Sequence, residues 1–220
     1  MKISYGITVY NEHKELDNLL YHLSKHIRDE DEVVVTQDIS KKGTGVFEPE
    51  FLALEKVLEK YEYGTYFNPR HLKVTSFNFQ KDFAALKNYT KEQCSGDYIF
   101  HIDADEIPNE VLLQQLPQIL EINDTDLVWV PRINLVNGIT DFHLNLWKWR
   151  ITEQGWINYP DYQARIFKNA DPIKWVKPVH EVIDGATTYS HLPPHEELTL
   201  KHEKDINRQE MQNKLYDDIL

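Results

Sequence analysis

The sequence predicts an α/β protein built on a mostly parallel sheet flanked by helices. Three observations carry that prediction. Short β-branched and aromatic runs alternate with helical patterns of about 10–15 residues, the signature of βαβ units. The 220 residues, 41% apolar and 27% charged, have the composition of an ordinary globular domain with a sizeable core. Finally, polar clusters follow three of the strands directly: Asn11-Glu12, Gln37-Asp38 and Asp103-Ala104-Asp105. In a parallel sheet all three would open onto the edge where ligands bind.

Residues 2–10, KISYGITVY, read as the first strand. Leu16, Leu19, Leu20, Leu23 and Ile27 then recur at helical spacing, which predicts a helix over 14–27. DEDEVVVTQ (29–37) is a second strand and SKKGTG (40–45) a loop. Phe51, Leu54, Leu58 and Tyr61 mark a second helix, and HLKVTSF (71–77) a third strand. Phe79, Phe83, Leu86 and Tyr89 mark a third helix that Ser95-Gly96 ends. DYIFHI (97–102) is a fourth strand running into Asp103, Asp105 and Glu106. Pro108 suits the first turn of the next helix, whose N-terminus would favour Glu106 and Glu110. DLVWVPRINLV (126–136) is a further strand, and VHEVI (179–183) a short one with Glu181 between Val179 and Ile183 on one face. All five tryptophans fall at or after Trp129, which marks a second functional half rather than a separate domain. Residues 204–220 read as a polar C-terminal helix that stops at Leu220 without a cap, as in a truncated chain.

Composition excludes several classes. A net charge of −12 argues against nucleic acid as a partner, since phosphate-backbone binding needs a Lys/Arg surplus. An acidic chain can still hold a polyphosphate through local cations or through a divalent metal. Cys94 is the one cysteine, so an internal disulfide and a Cys-based zinc site are both excluded. MKISYGITVYNEH is not a signal peptide, and no apolar run approaches the roughly 20 residues of a membrane helix. A cytoplasmic location is the default expectation.

Asp103 and Asp105 are two apart, so in extended backbone they point the same way, with the small Ala104 between them. Two hard carboxylates plus phosphate oxygens suit Mg²⁺ or Mn²⁺. The competing reading is a solvated acidic turn at a helix start. His180, His191, His195 and His202 lack compact zinc spacing. Trp147, Trp149, Trp156, Tyr159 and Tyr162 could stack on sugar rings or pack a core. Arg132, Arg150 and Arg165 could hold an anionic acceptor or diphosphate, or form surface ion pairs.

T-V-Y-N-E (8–12), F-A-A-L-K-N-Y (83–89) and S-G-D-Y-I-F-H-I-D-A-D-E (95–106) together resemble the family 2 glycosyltransferases of GT-A fold. D-Y-Q-A-R-I-F-K-N (161–169), W-V-K-P-V-H-E (175–181) and L-K-H-E-K (200–204) resemble the branch that includes lipopolysaccharide-core glycosyltransferases. The resemblance implies one GT-A domain over 1–220, with a Rossmann-like sheet, a nucleotide-sugar half (1–106), an acceptor half (107–203) and a terminal helix (204–220). It implies that Thr8, Tyr10, Glu12 and Asp38 line the base and ribose pocket, with Lys87 near the diphosphate where the family often has Arg. Asp103 and Ala104 would face the donor, Asp103 at the ribose or the metal. Asp105 would be the main metal ligand, and His202 would complete the site. The loop after the second strand departs from the family's acidic D-G-S-type turn.

An inverting transfer needs a base for the acceptor hydroxyl. Glu181 is the first candidate and Asp161 the second. His180, Arg165, Trp156 and Tyr162 are expected at the acceptor or phosphate. The implied activity is metal-dependent transfer from a UDP- or GDP-type sugar to a hydroxyl of a glycan or similar acceptor, with Mn²⁺ or Mg²⁺. A nucleotidyltransferase and a non-catalytic nucleotide- or glycan-binding module are the alternatives. The first usually carries a glycine-rich, basic loop after the first strand, and T-V-Y-N-E-H has no glycine, which counts against it.

Overall fold

The structure, a computed structural model, describes residues 1–42, 44, 48–67 and 71–211, with residue 48 described by its backbone alone. Four parallel strands make the first half of the main sheet: β1 (Ile3–Val9), β2 (Glu32–Asp38), β3 (Leu72–Phe77) and β4 (Tyr98–Asp103). β1 and β2 are buried almost end to end, as the near-continuous apolar runs ITV and VVV require when helices cover both faces. α1 (His13–His26), α2 (Glu48–Glu62) and α4 (Glu110–Asn123) bury Leu16, Leu20, Leu54, Leu58, Leu112 and Leu116 in one core with the sheet. α3 (Phe83–Gln93) contributes to a second core with Val34, Ile99, Phe167 and Trp175.

The second half of the sheet is mixed. β5 (Glu106–Pro108), β6 (Leu127–Asn137), β7 (Ile157–Lys168) and β11 (Leu200–Asp205) complete the order β3-β2-β1-β4-β7-β6-β11-β5. β10 (Tyr189–His191) pairs with the start of β6, while β8 (Lys174–Val176) and β9 (Val182–Asp184) form a separate hairpin. The short α5 (Asp141–Trp147) follows β6. Among the described residues, no helix is long and apolar enough to cross a membrane.

Four local expectations need correction. Glu106 does not open a helix; it lies in β5, paired with His202 of β11, and is fully buried. Asn109 caps α4 instead, accepting a bond from the Val111 N–H. The third helix starts at Phe83, because Asp82 caps it through the Ala85 N–H. Residues 179–181 are not strand: His180 has φ +53°, which turns the chain before β9, so simple alternation does not set where Glu181 points. Residues 204 and 205 end β11, 206–211 are helical, and the rest of the predicted tail helix lies outside the described residues.

Candidate active site

Register brings the strand ends together. Thr8 of β1 lies between Thr36 of β2 and Asp103 of β4, and Gln37-Asp38 stand beside Ser76-Phe77. A cleft of about 1380 Å³ opens there. Thr8, Tyr10, Glu12, Asp38, Lys87, Asp103, Ala104 and Asp105 line it from the parallel half. Asp161, Arg165, His180, Glu181 and His202 line it from the mixed half. Of the residues expected there, Trp156 and Tyr162 are not among its lining side chains. Trp156 packs on Tyr159, and the Tyr162 hydroxyl donates to the Leu192 carbonyl. Trp129, Trp149 and Trp175 form the aromatic wall instead.

The Glu12 carboxylate folds back onto its own loop. It accepts from the Tyr10 and Asn11 N–H groups at 2.9 and 3.0 Å, holding the turn out of β1. Asp38 accepts from the Ser40 N–H at 2.7 Å and does the same for the turn out of β2. Both acids shape the rim while facing the cleft.

Asp103 is flanked by two cations and a buried histidine. Arg165 donates to one oxygen, while Lys87 and His101 stand 3.4 and 3.5 Å from the other. Burial would raise its pKa, but Arg165 and Lys87 outweigh that and hold it well below the usual carboxylate range. His101 is buried beside Lys87, and burial pushes it down to about 4, so it is neutral at pH 7.

Lys87 also reaches Glu181 at 2.6 Å and lies over the Trp175 ring. One buried ammonium therefore joins the end of β4 to the candidate base.

A second chain of charges runs from Asp103 across to the acceptor side. Arg165 donates to Glu106 at 2.6 Å, Arg132 donates to the same Glu106 oxygen at 2.8 Å, and Arg132 donates again to Asp161 at 2.7 Å. Asn134 and Gln163 add bonds to Asp161 at 2.8 and 2.9 Å. Burial would raise Asp161, but Arg132 and these amides keep it low. With four donors on its two oxygens, two of them from Arg132, Asp161 is anchored, whereas Glu181 has the Lys87 ammonium as its partner.

Asp105 lies farther out. His202 Nδ1 donates to the Asn134 Oδ1 at 2.8 Å, which turns Nε2 toward Asp105 at 3.4 Å. Burial would raise Asp105, but His202 outweighs it, and the carboxyl falls to about 2. A carboxylate oxygen and an imidazole nitrogen facing each other are a donor pair suited to Mn²⁺ or Mg²⁺. Among the described residues no set of three His, Cys, Asp or Glu side chains is placed to hold a metal. Asp105 and His202 would thus supply two ligands, with the remaining positions open to phosphate and water, the usual arrangement for these cations at phosphates.

Sequence reasoning missed Glu106 as a node and passed over Lys204 and Arg208. Lys204 sits two residues after His202 on β11, on the same inward face. Burial pushes its ammonium down to about 8. The cleft is lined by seven Lys or Arg and six Asp or Glu, although the whole chain carries −12. The cleft is thus close to neutral where the molecule as a whole is acidic.

Comparison with known proteins agrees with the geometry. The family model described as "Glycosyl transferase family 2" matches residues 4–176. No curated protein sequence matches the chain. Among solved structures, S. aureus TarS 1–349 in complex with UDP-GlcNAc superposes with a TM-score of 0.63 at 18% identity, over 93% of this chain and 59% of that one. The same TarS fragment in complex with UDP gives 0.61 at 18% identity, over 92% and 60%. The chain thus spans about three-fifths of these relatives. The likeness carries the fold: a curled, mostly parallel sheet with flanking helices, of GT-A type.

Proposed function

The chain belongs to glycosyl transferase family 2, and on that premise we propose that it moves a sugar from a nucleoside-diphosphate sugar to a hydroxyl acceptor, with inversion and with a divalent cation. The observation that carries this reading is the cleft itself. An acidic protein gathers seven Lys or Arg among the acids of this one cleft, with Asp105 and His202 facing each other within it. TarS, of the same fold, has been crystallised with UDP-GlcNAc and with UDP, which supports a uridine-type donor.

The nucleoside would lie over Thr8, Tyr10 and Asp38, and the diphosphate near Asp105 and His202. Those two residues would hold the cation, whose chemistry there is to neutralise charge on the leaving diphosphate. Asp103, locked by Arg165 and Lys87, would orient the donor at the reacting end. The acceptor oxygen would attack the anomeric carbon as the carbon–phosphate-oxygen bond breaks, and Glu181 would take the hydroxyl proton. Lys87, 2.6 Å away, would hold the Glu181 carboxylate in position in the cleft before the acceptor arrives. Asp161, fixed by Arg132, Asn134 and Gln163, would bind the acceptor rather than its proton.

The test has two variants and one titration. Calorimetry with UDP and GDP, with and without Mn²⁺, should show metal-dependent binding that Asp105→Ala abolishes. Glu181→Gln should keep donor binding and lose transfer by about 10²- to 10⁴-fold, the usual weight of a general base. A fully active Glu181→Gln enzyme, or nucleotide binding indifferent to Mn²⁺ and to Asp105, would contradict the assignment.

A further inference from the structure

Residues beyond the family match complete the cleft, and one of them stands out. Arg208, in the helical segment 206–211, reaches three carboxylates at once. It lies 2.8 Å from Glu15, 3.2 Å from Glu12 and 3.3 Å from Asp105. The first contact is a normal charge-assisted bond; the other two are longer than the roughly 2.7–2.9 Å such bonds adopt. Arg208 and His202 address the same Asp105 oxygen, each from more than 3 Å. The guanidinium therefore hangs over the mouth of the cleft, held firmly from outside by Glu15 and loosely from inside. It is one-third exposed, so a short swing needs no repacking of the core.

We propose that Arg208 is a diphosphate clamp: it exchanges its loose contacts with Glu12 and Asp105 for the phosphate oxygens of the donor, while Glu15 holds it back in the free protein. The inference rests on the nucleotide-sugar reading above and assigns a specificity role to a residue outside the matched 4–176. A planar guanidinium suits two phosphate oxygens better than a point charge does. Lys204, inward-facing on β11 four residues earlier, supplies a second cation to the cleft lining. Glu15 is the brake in this scheme, because any fraction of molecules in which it retains Arg208 is a fraction not ready to close.

The experiment compares UDP with UMP, and GDP with GMP, by calorimetry on the full chain with Mn²⁺. Arg208→Ala should weaken the diphosphate about tenfold or more and the monophosphate only about twofold, the loss of one charge-assisted bond to the outer phosphate. Arg208→Lys should fall between. Glu15→Gln should tighten diphosphate binding by about threefold, by freeing the arginine. A purely structural Arg208 gives a different pattern: equal losses for di- and monophosphates, and no gain in Glu15→Gln. That pattern would overturn the clamp. Failure of the unsubstituted chain to bind any nucleoside diphosphate would instead overturn the donor reading on which the clamp rests.

Discussion

Replacing Glu106 with Gln tests the buried network directly. Glu106 is fully buried; one oxygen accepts from Arg132 and Arg165 at 2.8 and 2.6 Å, and the other accepts from the Asp103 N–H at 3.2 Å. Glutamine keeps the shape but has one acceptor oxygen. Whichever way the amide turns, its NH₂ faces a donor, either two guanidiniums or the Asp103 N–H. Breaking a buried pair costs about 3–5 kcal/mol. Here Arg132 keeps Asp161 and Arg165 keeps Asp103, so we take the lower end, about 3 kcal/mol. For a chain of this length each kcal/mol moves Tm by about 2–4 °C, so Glu106→Gln should melt about 6–12 °C lower. Thermal and urea unfolding followed by circular dichroism measure it. Glu110, four residues on and mostly exposed, is the control: Glu110→Gln should stay within about 0.5 kcal/mol. A Glu106→Gln melt within about 2 °C of the parent would refute the claim that this carboxylate holds both arginines.

Two further outcomes follow from other sites. Stability should decline in two stages as pH falls, read as urea midpoints from pH 7 to 3. His101, which burial and Lys87 depress from 6.5 to about 4, resists a proton that the unfolded chain accepts, so stability falls between those values. Below about pH 4.5 depressed carboxylates take over. Glu32, for example, is held at about 2 by Lys2, Ser4 and Ser95 against the effect of burial. A flat profile down to pH 4.5 would rule out the buried neutral histidine. Separately, Gly96→Ala should destabilise by about 1–3 kcal/mol, because its Cβ would stand 2.7 Å from the Ser4 backbone nitrogen, where β1 meets the turn into β4. An unchanged urea midpoint would show that this turn yields.

The parallel half was legible because its strands are buried on both faces. ITV and VVV have few structural alternatives, and the polar residues at their ends stand out against them. The mixed half was hidden by its own function. β11 points Leu200, His202 and Lys204 inward, so a strand with a buried face reads as a polar segment. Glu106 looked like a helix-capping acid because the arginines that bury it, Arg132 and Arg165, come 26 and 59 residues later. The Lys87–Glu181 pair is likewise invisible to local pattern, although each residue drew attention separately. Tryptophan identity suggested an aromatic wall but could not tell Trp175, which is in it, from Trp156, which is not.

The placement of β11 sets when the site can exist. Among the described residues β5 pairs in the main sheet with β11 alone, and β11 comes almost at the end of the described chain. β1 to β4 pair with one another without it, whereas β5, which carries Glu106, has its sheet partner only when residues 200–205 lie between β5 and β6. The cleft therefore takes its full lining, His202 and Lys204 included, only with this last strand in place.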